Sequence, residues 1–414
     1  MREILFLVHR IPYPPDKGDK IRSWHFLSYL VEHYKVHLGC FADSDVDLAE
    51  NAPVLRDLCG ECYFARMRPW AARARSFAGL WDGAPLTLQH YRHGGLNDWV
   101  QTLLADRPID CIFAFSSAMA QYTMGDIGSQ TRRVVDFVDV DSDKWRQYSE
   151  TKPWPANWVY RREARTLLAF EKKVAAEFDA ALFVSSAEAK LFREAAPEQA
   201  HKIFHIGNGV DFRYFTPDAD YTNPYEAEGK VLVFTGAMDY WPNIDAVTWF
   251  ADEILPRVQA REPTARFCVV GAKPTPKVRA LGRRPGIMVT GRVPDVRPYI
   301  AHATAVVAPL RIARGLQNKV LEGMSMAKTV VATPESCGGF EADIRRAVLL
   351  ASDAEGFADR VISAFCSDRR EATGKQARAA VLALHDWGKS LSRLGPLLQG
   401  EAIAPAKTLA KVAS

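Results

Sequence analysis

The stretch "ARGLQNKVLEGMSMAKTVVAT" (313–333) combines a cation and a carboxylate at a spacing that can do chemistry. Lys319 and Glu322 are three positions apart, so on a helix both side chains lie on one face. An ammonium group binds an anion such as a diphosphate, and a carboxylate accepts hydrogen bonds from vicinal hydroxyls such as those of a ribose. The alternative is an ordinary ion pair on the surface, which contributes little to stability.

Further cations surround this pair. The strand-like run "TAVVAPL" (304–310) precedes the motif, and we expect the following helix to begin at Gly315. Arg311, Arg314 and Lys319 then lie near the positive end of that helix. Because three neighbouring cations repel one another, their clustering indicates a bound anion.

A second candidate anion site lies in "PYPPDKGDKIRSW" (12–24), where a strand ends, prolines turn the chain and Gly18 opens a helix. Glycine allows a diphosphate to approach the amides at the helix start, and Lys17, Lys20 or Arg22 can add positive charge. The alternative is a simple loop followed by a capped helix.

Acidic residues follow another strand in "VVDFVDVDSDKW" (134–145), where Asp139, Asp141 and Asp143 alternate with other residues. Such a pattern can hold a divalent cation on a diphosphate, but aspartate after a strand is also a common helix cap. Cys59 and Cys62 form a lone CxxC without a second pair at zinc-ligand spacing. We therefore expect no metal site.

The strands and helices that must position these residues can be predicted from the sequence, in which short apolar runs alternate with amphipathic stretches. Strands that are apolar throughout and alternate with helices are typical of parallel sheets covered on both faces. The runs fall into two sets, at 3–9, 36–41, 109–115, 132–138 and 180–186, and then at 230–236, 266–271, 287–291, 304–310, 329–333 and 347–351. The sequence therefore predicts an α/β protein with two doubly wound, Rossmann-like domains.

The predicted organisation is a first domain (1–212), a connection (213–229) rich in Pro, Asp, Asn and aromatic residues, and a second domain (230–385). A C-terminal helix (386–400), which can cross back to the first domain, and a loosely ordered tail (401–414) complete the chain. Strand ends in the second domain carry Gly236, Gly271 and Gly291. Ligands of open α/β sheets bind outside such carboxyl ends.

Composition excludes several functions. The formal net charge is only +4, with 53 Lys and Arg against 49 Asp and Glu, so a nucleic-acid partner is disfavoured. The fingerprints GxGxxG, GxxxxGK[ST] and GxSxG do not occur. Seven scattered cysteines indicate a reducing compartment, and the chain starts with strand-like "REILFLVH" rather than a leader. We expect a cytoplasmic protein.

Several motifs together resemble the retaining GT-B-fold glycosyltransferases of family 4 over nearly the whole chain. These are "PYPPDKGDKIR", "HIGNGVD" (205–211), "FTGAMDYWPNIDAVTWF" (234–250), and "VTGRVPDVRPYIAHATAVVAPL" (289–310) followed by "NKVLEGMSMAKTVVAT". More narrowly, "VDFVDVDSDKWRQYS" and "RIARGLQNKVLE" resemble the members that accompany exosortase/PEP-CTERM exopolysaccharide systems.

The resemblance implies two domains that face each other across a cleft, and roles for individual residues. Glu322 would hold the donor ribose, Lys319 would contact the diphosphate, and the backbone at Arg292 and Val293 would meet the base. Gly18 would approach the diphosphate from the facing domain. The remaining donor-side residues are Gly236, Arg311 and Gly315, and the acceptor-side residues are Asp139, Asp141 and Arg22.

The chain departs from the family pattern at three places. The acidic residue that the family often has eight positions before Glu322 is Arg314 here, so we group Arg314 with Lys319 and Glu322 as catalytic. The expected Arg/Lys pair is absent from "GAMDYWPN", and no histidine ends the "VVDFVDV" strand. Phosphate neutralisation must then rely on Lys319, Arg311 or Arg314.

The expected activity is transfer of a sugar, hexosyltransferase-like and with retention, from a UDP- or GDP-sugar to a glycan or polyprenyl-linked acceptor in exopolysaccharide or cell-surface polysaccharide synthesis. No cofactor beyond the nucleotide sugar and no metal is expected. The alternatives are a GT-B-fold nucleotide-sugar epimerase and an inactive sugar-binding scaffold of a polysaccharide assembly complex. Segment 66–81 interleaves arginines with tryptophans and a phenylalanine, which predicts either peripheral contact at the inner face of the cell membrane or a solvated helix face.

Overall fold

The computed structural model describes residues 1–15, 18–67, 83–128, 130–226, 229–313 and 315–401, without the side chains of Thr151 and Arg369. These residues form two compact units. The first comprises Met1–Ile206 and the chain from Leu391 on, and the second comprises Gly207–Ser390. Arg314, the tail beyond residue 401 and all but the first two residues of segment 66–81 lie outside the described residues.

The first unit contains a seven-stranded parallel sheet in the order β3-β2-β1-β4-β5-β6-β7. The strands are β1 (Glu3–Val8), β2 (Lys35–Ala42), β3 (Cys62–Arg66), β4 (Ile109–Phe115), β5 (Arg132–Val138), β6 (Ala180–Phe183) and β7 (Ile203–His205). Both faces of β1 are buried from Ile4 to Val8, as its continuous apolar sequence predicts.

Helices cover this sheet. They are α1 (Gly18–His33), α2 (Asp45–Leu58), α3 (Leu86–His90), α4 (Gly94–Asp106), α5 (Asp141–Thr151), α6 (Ala156–Glu177) and α7 (Ser186–Ala195), with 3₁₀ turns at Ser117–Thr123 and Pro197–Lys202. Helix α1 begins at Gly18, as predicted, and its buried residues Phe26, Leu27 and Leu30 pack into the core.

The second unit contains a six-stranded parallel sheet in the order β10-β9-β8-β11-β12-β13. The strands are β8 (Lys230–Thr235), β9 (Ala265–Val270), β10 (Ile287–Gly291), β11 (Ala305–Ala308), β12 (Val330–Ala332) and β13 (Leu349–Leu350). The predicted α/β fold of two doubly wound parallel sheets is thereby confirmed.

The helices from residue 241 on are α8 (Trp241–Trp249), α9 (Leu255–Gln259), α10 (Pro276–Leu281), α11 (Arg297–His302), α12 (Asn318–Ser325), α13 (Ala342–Arg346), α14 (Ala354–Ala364), α15 (Ser367–Leu384), α16 (Trp387–Leu391) and α17 (Leu394–Gln399). A π-helical turn (Phe250–Ile254) joins α8 to α9, and a 3₁₀ turn covers Glu335–Cys337. The single helix predicted over 386–400 is two short helices. No helix among the described residues is long and apolar enough to span a bilayer.

The strand order places a topological switch in each unit. In the second unit, β8 lies between β9 and β11, and the chain leaves β8 to one side before it returns to the other. In the first unit, β1 lies between β2 and β4 in the same way. Ligands of doubly wound sheets bind outside the carboxyl ends of such strand pairs, so the segments that follow β8 and β11 define where a ligand site is expected.

The position of Arg22 in the structure does not fit its predicted role on the acceptor side. Its side chain is fully buried, Nε donates to Asp136 Oδ2 at 2.7 Å, and Nη1 donates to the Ile206 carbonyl at 2.8 Å. Asp136 Oδ1 in turn accepts the N–H of Val138 at 2.9 Å. A guanidinium enclosed in the core cannot meet an acceptor directly, so we assign Arg22 to the support of the β5 end.

We predict that Arg22→Met lowers the free energy of unfolding by about 3–5 kcal/mol, because it leaves the Asp136 carboxylate buried without its cation. Chemical denaturation with circular dichroism measures the effect. The double variant Arg22→Met/Asp136→Asn should recover part of the loss, and Lys190→Met, at a side chain that is 77% exposed, should change stability little. Wild-type stability of Arg22→Met would contradict the assignment.

Candidate functional site

Two glycines bring the ends of β8 and β9 unusually close. The N–H of Gly236 donates to the Val270 carbonyl at 3.0 Å, and Gly271 lies against Gly236 so tightly that a Cβ there would be 1.7 Å from the Gly236 oxygen. Both glycines have φ near the upper edge of the positive range, +156° and +158°. Only glycine fits this approach, and the turn delivers the chain to the start of α8.

Helix α12 begins at Asn318 with Gln317 as its N-cap, three residues later than predicted. Gly315 lies in the preceding loop with φ +62°, a left-handed conformation that does not continue into a right-handed helix. A Cβ on Gly339 would be 2.9 Å from the Gly315 carbonyl, so two loops pack here backbone to backbone.

Buried hydroxyls fix the end of β11, from which this loop departs. Ser336 Oγ donates to the Ala308 carbonyl at 2.6 Å, and Thr333 Oγ1 donates to the Leu310 carbonyl at 2.6 Å. The Leu310 N–H donates to Ser336 Oγ at 3.3 Å. Because these bonds satisfy backbone groups at and just beyond the last strand residue, the loop leaves the sheet in one defined direction.

Lys319 reaches from α12 back to the end of β8. Its Nζ donates to Asn243 Oδ1 at 3.3 Å and to Gln317 Oε1 at 3.4 Å, and it lies 5.0 Å from the ring centroid of Phe234. Asn243 is itself buried and held by its Nδ2, which donates to the Ala237 carbonyl at 2.9 Å. All of these partners are uncharged, so the cation is positioned but not neutralised by them.

Glu322 lies one helical turn from Lys319 on the same face, as predicted, and both side chains are half-buried. Burial lowers the pKa of Lys319 to about 8 against the attraction of Glu322, and burial raises the pKa of Glu322 to about 7 against the attraction of Lys319. Within the described residues, no ion pair joins them and the Glu322 carboxylate accepts no hydrogen bond. The pair therefore presents a cation and an acceptor to a ligand.

Arg311 is neutralised within the protein, which corrects the argument from three repelling cations. Its Nε donates to Asp245 Oδ2 at 3.0 Å, and its guanidinium lies 5.3 Å from the Trp249 ring centroid. The hydrogen bond that Arg311 donates to Asp245 raises the pKa of Arg311. Since Arg314 lies outside the described residues, Lys319 is the predicted cation for which the structure shows a ligand-ready environment.

Arg292 and Val293 directly follow β10, which β9 separates from β8. Arg292 is exposed and Val293 is half-buried against a hydrophobic cluster of the second unit. The structure thus places the predicted base-contacting pair on the same edge of the sheet as Gly236, but away from Lys319 along the strand order.

The acidic residues of the first unit carry their own cation. Lys144 Nζ lies 2.8 Å from Asp139 Oδ2 and 2.9 Å from Asp141 Oδ1. Burial acts to lower the pKa of Lys144, but the two carboxylates outweigh it and raise that pKa well above its usual value. In the described part of the chain, no group of three His, Cys, Asp or Glu side chains is placed to hold a metal ion.

The sequence alone did not identify Asn243, Gln317 or Asp245 as parts of this region. Charged side chains are the phosphate ligands that a sequence shows most directly, whereas Asn243 and Gln317 contribute amide oxygens. A signal was present in "GAMDYWPN": its asparagine lies near the start of a helix that follows a glycine-ended strand, where side chains reach the carboxyl edge of a sheet.

Comparisons with known proteins identify a glycosyltransferase family model and solved structures with a similar fold. Residues 229–366 match the family model described as Glycosyl transferases group 1. HepE from Anabaena, solved in complex with UDP and glucose, is 16% identical with a TM-score of 0.65, and the alignment covers 97% of this chain and 100% of that one. No curated protein sequence matches the chain.

Two further solved structures have the same architecture. Sucrose-phosphate synthase from Thermosynechococcus elongatus is 15% identical with a TM-score of 0.67, over 97% of this chain and 99% of that one. WaaG, a glycosyltransferase involved in lipopolysaccharide biosynthesis, is 14% identical with a TM-score of 0.66, over 96% and 100%. The fold is therefore that of GT-B glycosyltransferases, and the family match covers most of the second unit.

We predict that Gly271→Ala destabilises the second unit by at least about 2 kcal/mol, because the new Cβ collides with the Gly236 carbonyl in addition to the backbone strain. Gly291→Ala is the matched control: its φ is +74°, but nothing lies within 4 Å of the added carbon. It should lose only about 1 kcal/mol. Equal thermal denaturation of the two variants would show that the close approach does not constrain the turn.

Proposed function

We propose that the protein transfers a sugar from a nucleoside diphosphate donor and that the second unit binds this donor at the β8–β11 switch. The observation that carries the proposal is Lys319: a half-buried cation with uncharged partners, aimed at the end of β8 where a parallel sheet binds ligands. The match of residues 229–366 to the group 1 glycosyltransferase model supports it.

In this proposal, Lys319 contacts the donor diphosphate, and Glu322 accepts hydrogen bonds from the ribose hydroxyls. Arg311 and the loop containing Gly315 flank the phosphates, Gly236 leaves room for them, and the backbone at Arg292 and Val293 meets the base. Gly18 and Arg314 stay predictions for contact with the diphosphate.

The proposed chemistry is electrostatic. As the anomeric bond breaks, negative charge develops on the leaving diphosphate, and a preorganised ammonium group stabilises that charge more than it stabilises the bound donor. The cation performs this role without a metal ion, and the low polarity that lowers the Lys319 pKa strengthens its interaction with phosphate. We propose retention of the anomeric configuration, as the family resemblance implies.

The acceptor is proposed to be a glycan or polyprenyl-linked glycan, with Asp139 and Asp141 on its side, in exopolysaccharide or cell-surface polysaccharide synthesis. HepE was solved with UDP-glucose, which supports a UDP-hexose as the first donor to test. The role of WaaG in lipopolysaccharide biosynthesis supports a cell-surface glycan as the product class. We propose peripheral attachment at the inner face of the cell membrane.

We predict that Lys319→Ala raises the dissociation constant for the donor about 10- to 100-fold, because a charge-assisted hydrogen bond to phosphate is lost. Transfer should fall at least about 100-fold. Glu322→Ala should weaken binding of the nucleotide sugar while binding of inorganic diphosphate changes little. A thermal-shift panel of UDP-sugars, GDP-sugars and inorganic diphosphate, read with the wild type and each variant, measures binding. Release of UDP or GDP from the donor measures turnover.

Lys277→Ala is the matched control, since it removes one exposed cation from α10 in the same unit. It should bind and transfer like the wild type. Turnover of the Lys319 and Glu322 variants at the wild-type rate would exclude their proposed roles. A free epimerised sugar as the product, detected by NMR in the absence of acceptor, would exclude transfer as the reaction.

We predict that donor affinity is greatest between about pH 7 and 8. Glu322, with a pKa raised to about 7, must lose its proton to accept hydrogen bonds from the ribose, so affinity falls as the pH drops below 7. Lys319, with a pKa lowered to about 8, must keep its proton, so affinity falls as the pH rises above 8. Isothermal titration with a UDP-sugar from below pH 7 to above pH 8 gives the profile.

Two variants separate the limbs of this profile. Lys319→Arg keeps its charge throughout, because the guanidinium pKa is above about 12, and should remove the alkaline decline. Glu322→Gln cannot ionise and should remove the acidic decline at a lower overall affinity. An unchanged alkaline limb in Lys319→Arg would assign that limb to another group.

A further inference from the structure

The hairpin of α5 and α6 in the first unit ends in two exposed tryptophans. A turn at residues 152–155 joins the helices, and Trp154 in this turn is 80% exposed while Trp158 in the first turns of α6 is 55% exposed. Tryptophan side chains are highly buried on average, so two exposed indoles within five residues mark a surface that another component covers.

Exposed cations lie on the same face of α6 as Trp158. Trp158, Arg161 and Arg165 are spaced i, i+3 and i+7, which places them along one stripe of α6. Arg161, Arg165 and Lys152 in the turn are all exposed, and none of them forms an ion pair within the described residues.

The nearest acidic residues do not neutralise the stripe. Glu150, at the end of α5, is exposed and pairs with Arg146 at 2.7 Å. Glu163, the one carboxylate between residues 152 and 165, is buried and accepts the N–H groups of Leu86 and Thr87 at 2.6 and 2.9 Å. The exposed surface of the tip therefore combines indole rings with uncompensated positive charge.

The hairpin holds this tip in a fixed position. Trp145 of α5 packs on Tyr160 of α6 with ring centroids 5.2 Å apart, and Tyr148 lies 6.4 Å from the same ring. On its other face, α6 is fastened by Arg162, whose Nη1 donates to the Ala84 carbonyl at 3.2 Å. The 11 residues of α5 correspond to about 16 Å of helix between the sheet edge and the tip.

We propose that this hairpin tip, comprising Lys152, Trp154, Trp158, Arg161 and Arg165, docks onto a lipid bilayer that contains anionic headgroups. Indole rings prefer the boundary between headgroups and acyl chains, and lysine and arginine side chains are attracted by anionic lipid. The tip shares no residue with segment 66–81, and the proposal depends on neither donor binding nor glycosyl transfer.

The area of the tip argues against a second copy of the chain as its occupant. Two indoles offer at most about 500 Å² of apolar surface, whereas a stable protein interface needs about 800 Å² from each partner. The uncompensated cations would also repel the same tip of another copy, whereas an anionic bilayer attracts them. A bilayer needs no matching shape, so a small aromatic tip with positive charge is sufficient.

The test is co-sedimentation of the full chain with phosphatidylcholine vesicles that contain or lack phosphatidylglycerol. We expect the wild type to bind the anionic vesicles. Trp154→Ala/Trp158→Ala should lower the partition coefficient at least about tenfold, and Trp154→Tyr/Trp158→Tyr should retain most binding because tyrosine keeps an amphipathic ring.

Charge is tested separately. Lys152→Gln/Arg161→Gln/Arg165→Gln should lower the partition coefficient on the order of 100-fold, at about fivefold for each cation near the anionic surface. The matched control removes three exposed cations elsewhere, Lys190→Gln/Arg346→Gln/Lys375→Gln, whose side chains are 77%, 69% and 73% exposed, and should bind like the wild type.

Four outcomes would overturn the proposal. The first is a wild type that binds neither kind of vesicle, and the second is tip variants that bind as the wild type does. The third is a charge control that loses as much binding as the tip charge variant. The fourth is a wild type that self-associates in sedimentation velocity without lipid while the tryptophan variants do not. The last outcome would assign the tip to a second copy. Unchanged thermal unfolding of the variants, expected for exposed positions, confirms that they are folded.

Discussion

The candidate site depends on a cation that is partly withdrawn from water without being neutralised. Lys319 meets two amide oxygens and an aromatic ring, and burial lowers its pKa to about 8. A desolvated ammonium group with uncharged partners gains more from an anionic ligand than a solvated one does. The glycine turn after β8 and the hydroxyl network after β11 serve this arrangement, because they bring Asn243 and α12 to the same place.

Comparison with the other cations shows why the type of partner matters more than the number of charges. Arg311 is held by Asp245, and Lys144 is held by Asp139 and Asp141, so each already has the counter-charge that an anionic ligand would supply. A carboxylate at position 243 would satisfy Lys319 in the same way. The neutral amide there keeps the cation in place and leaves its charge available.

The sequence predicted the fold well, because a strand that is buried on both faces of a parallel sheet is apolar at nearly every position. Such a strand can be recognised from a few consecutive residues. The strand-end glycines and the shared face of Lys319 and Glu322 were likewise readable from spacing. The helix start at Gly315 was wrong, since a positive φ depends on how the loop packs against Gly339. The acceptor-side prediction for Arg22 was based on its charge and did not consider which face of α1 it occupies. Arg22 precedes Phe26 by four residues, and this spacing places both side chains on one face of α1. That face is the core face, because Phe26 is buried and its ring lies 4.7 Å from the guanidinium.

The hairpin of α5 and α6 connects two proposals that were reached independently. Its base carries Asp139 and Asp141 at the carboxyl edge of the first sheet, and its tip carries the tryptophans about 16 Å along the helix axis. Ser142 at the base donates to the buried Glu171 of α6, whose pKa burial raises to about 8, so the two helices are joined at this end as well. A tip seated among headgroups would hold the acidic residues at most about this distance from the bilayer. Only the polar portion of a lipid-linked acceptor extends into that space, so a membrane-docked hairpin favours an acceptor whose sugar, and not its lipid, reaches Asp139 and Asp141.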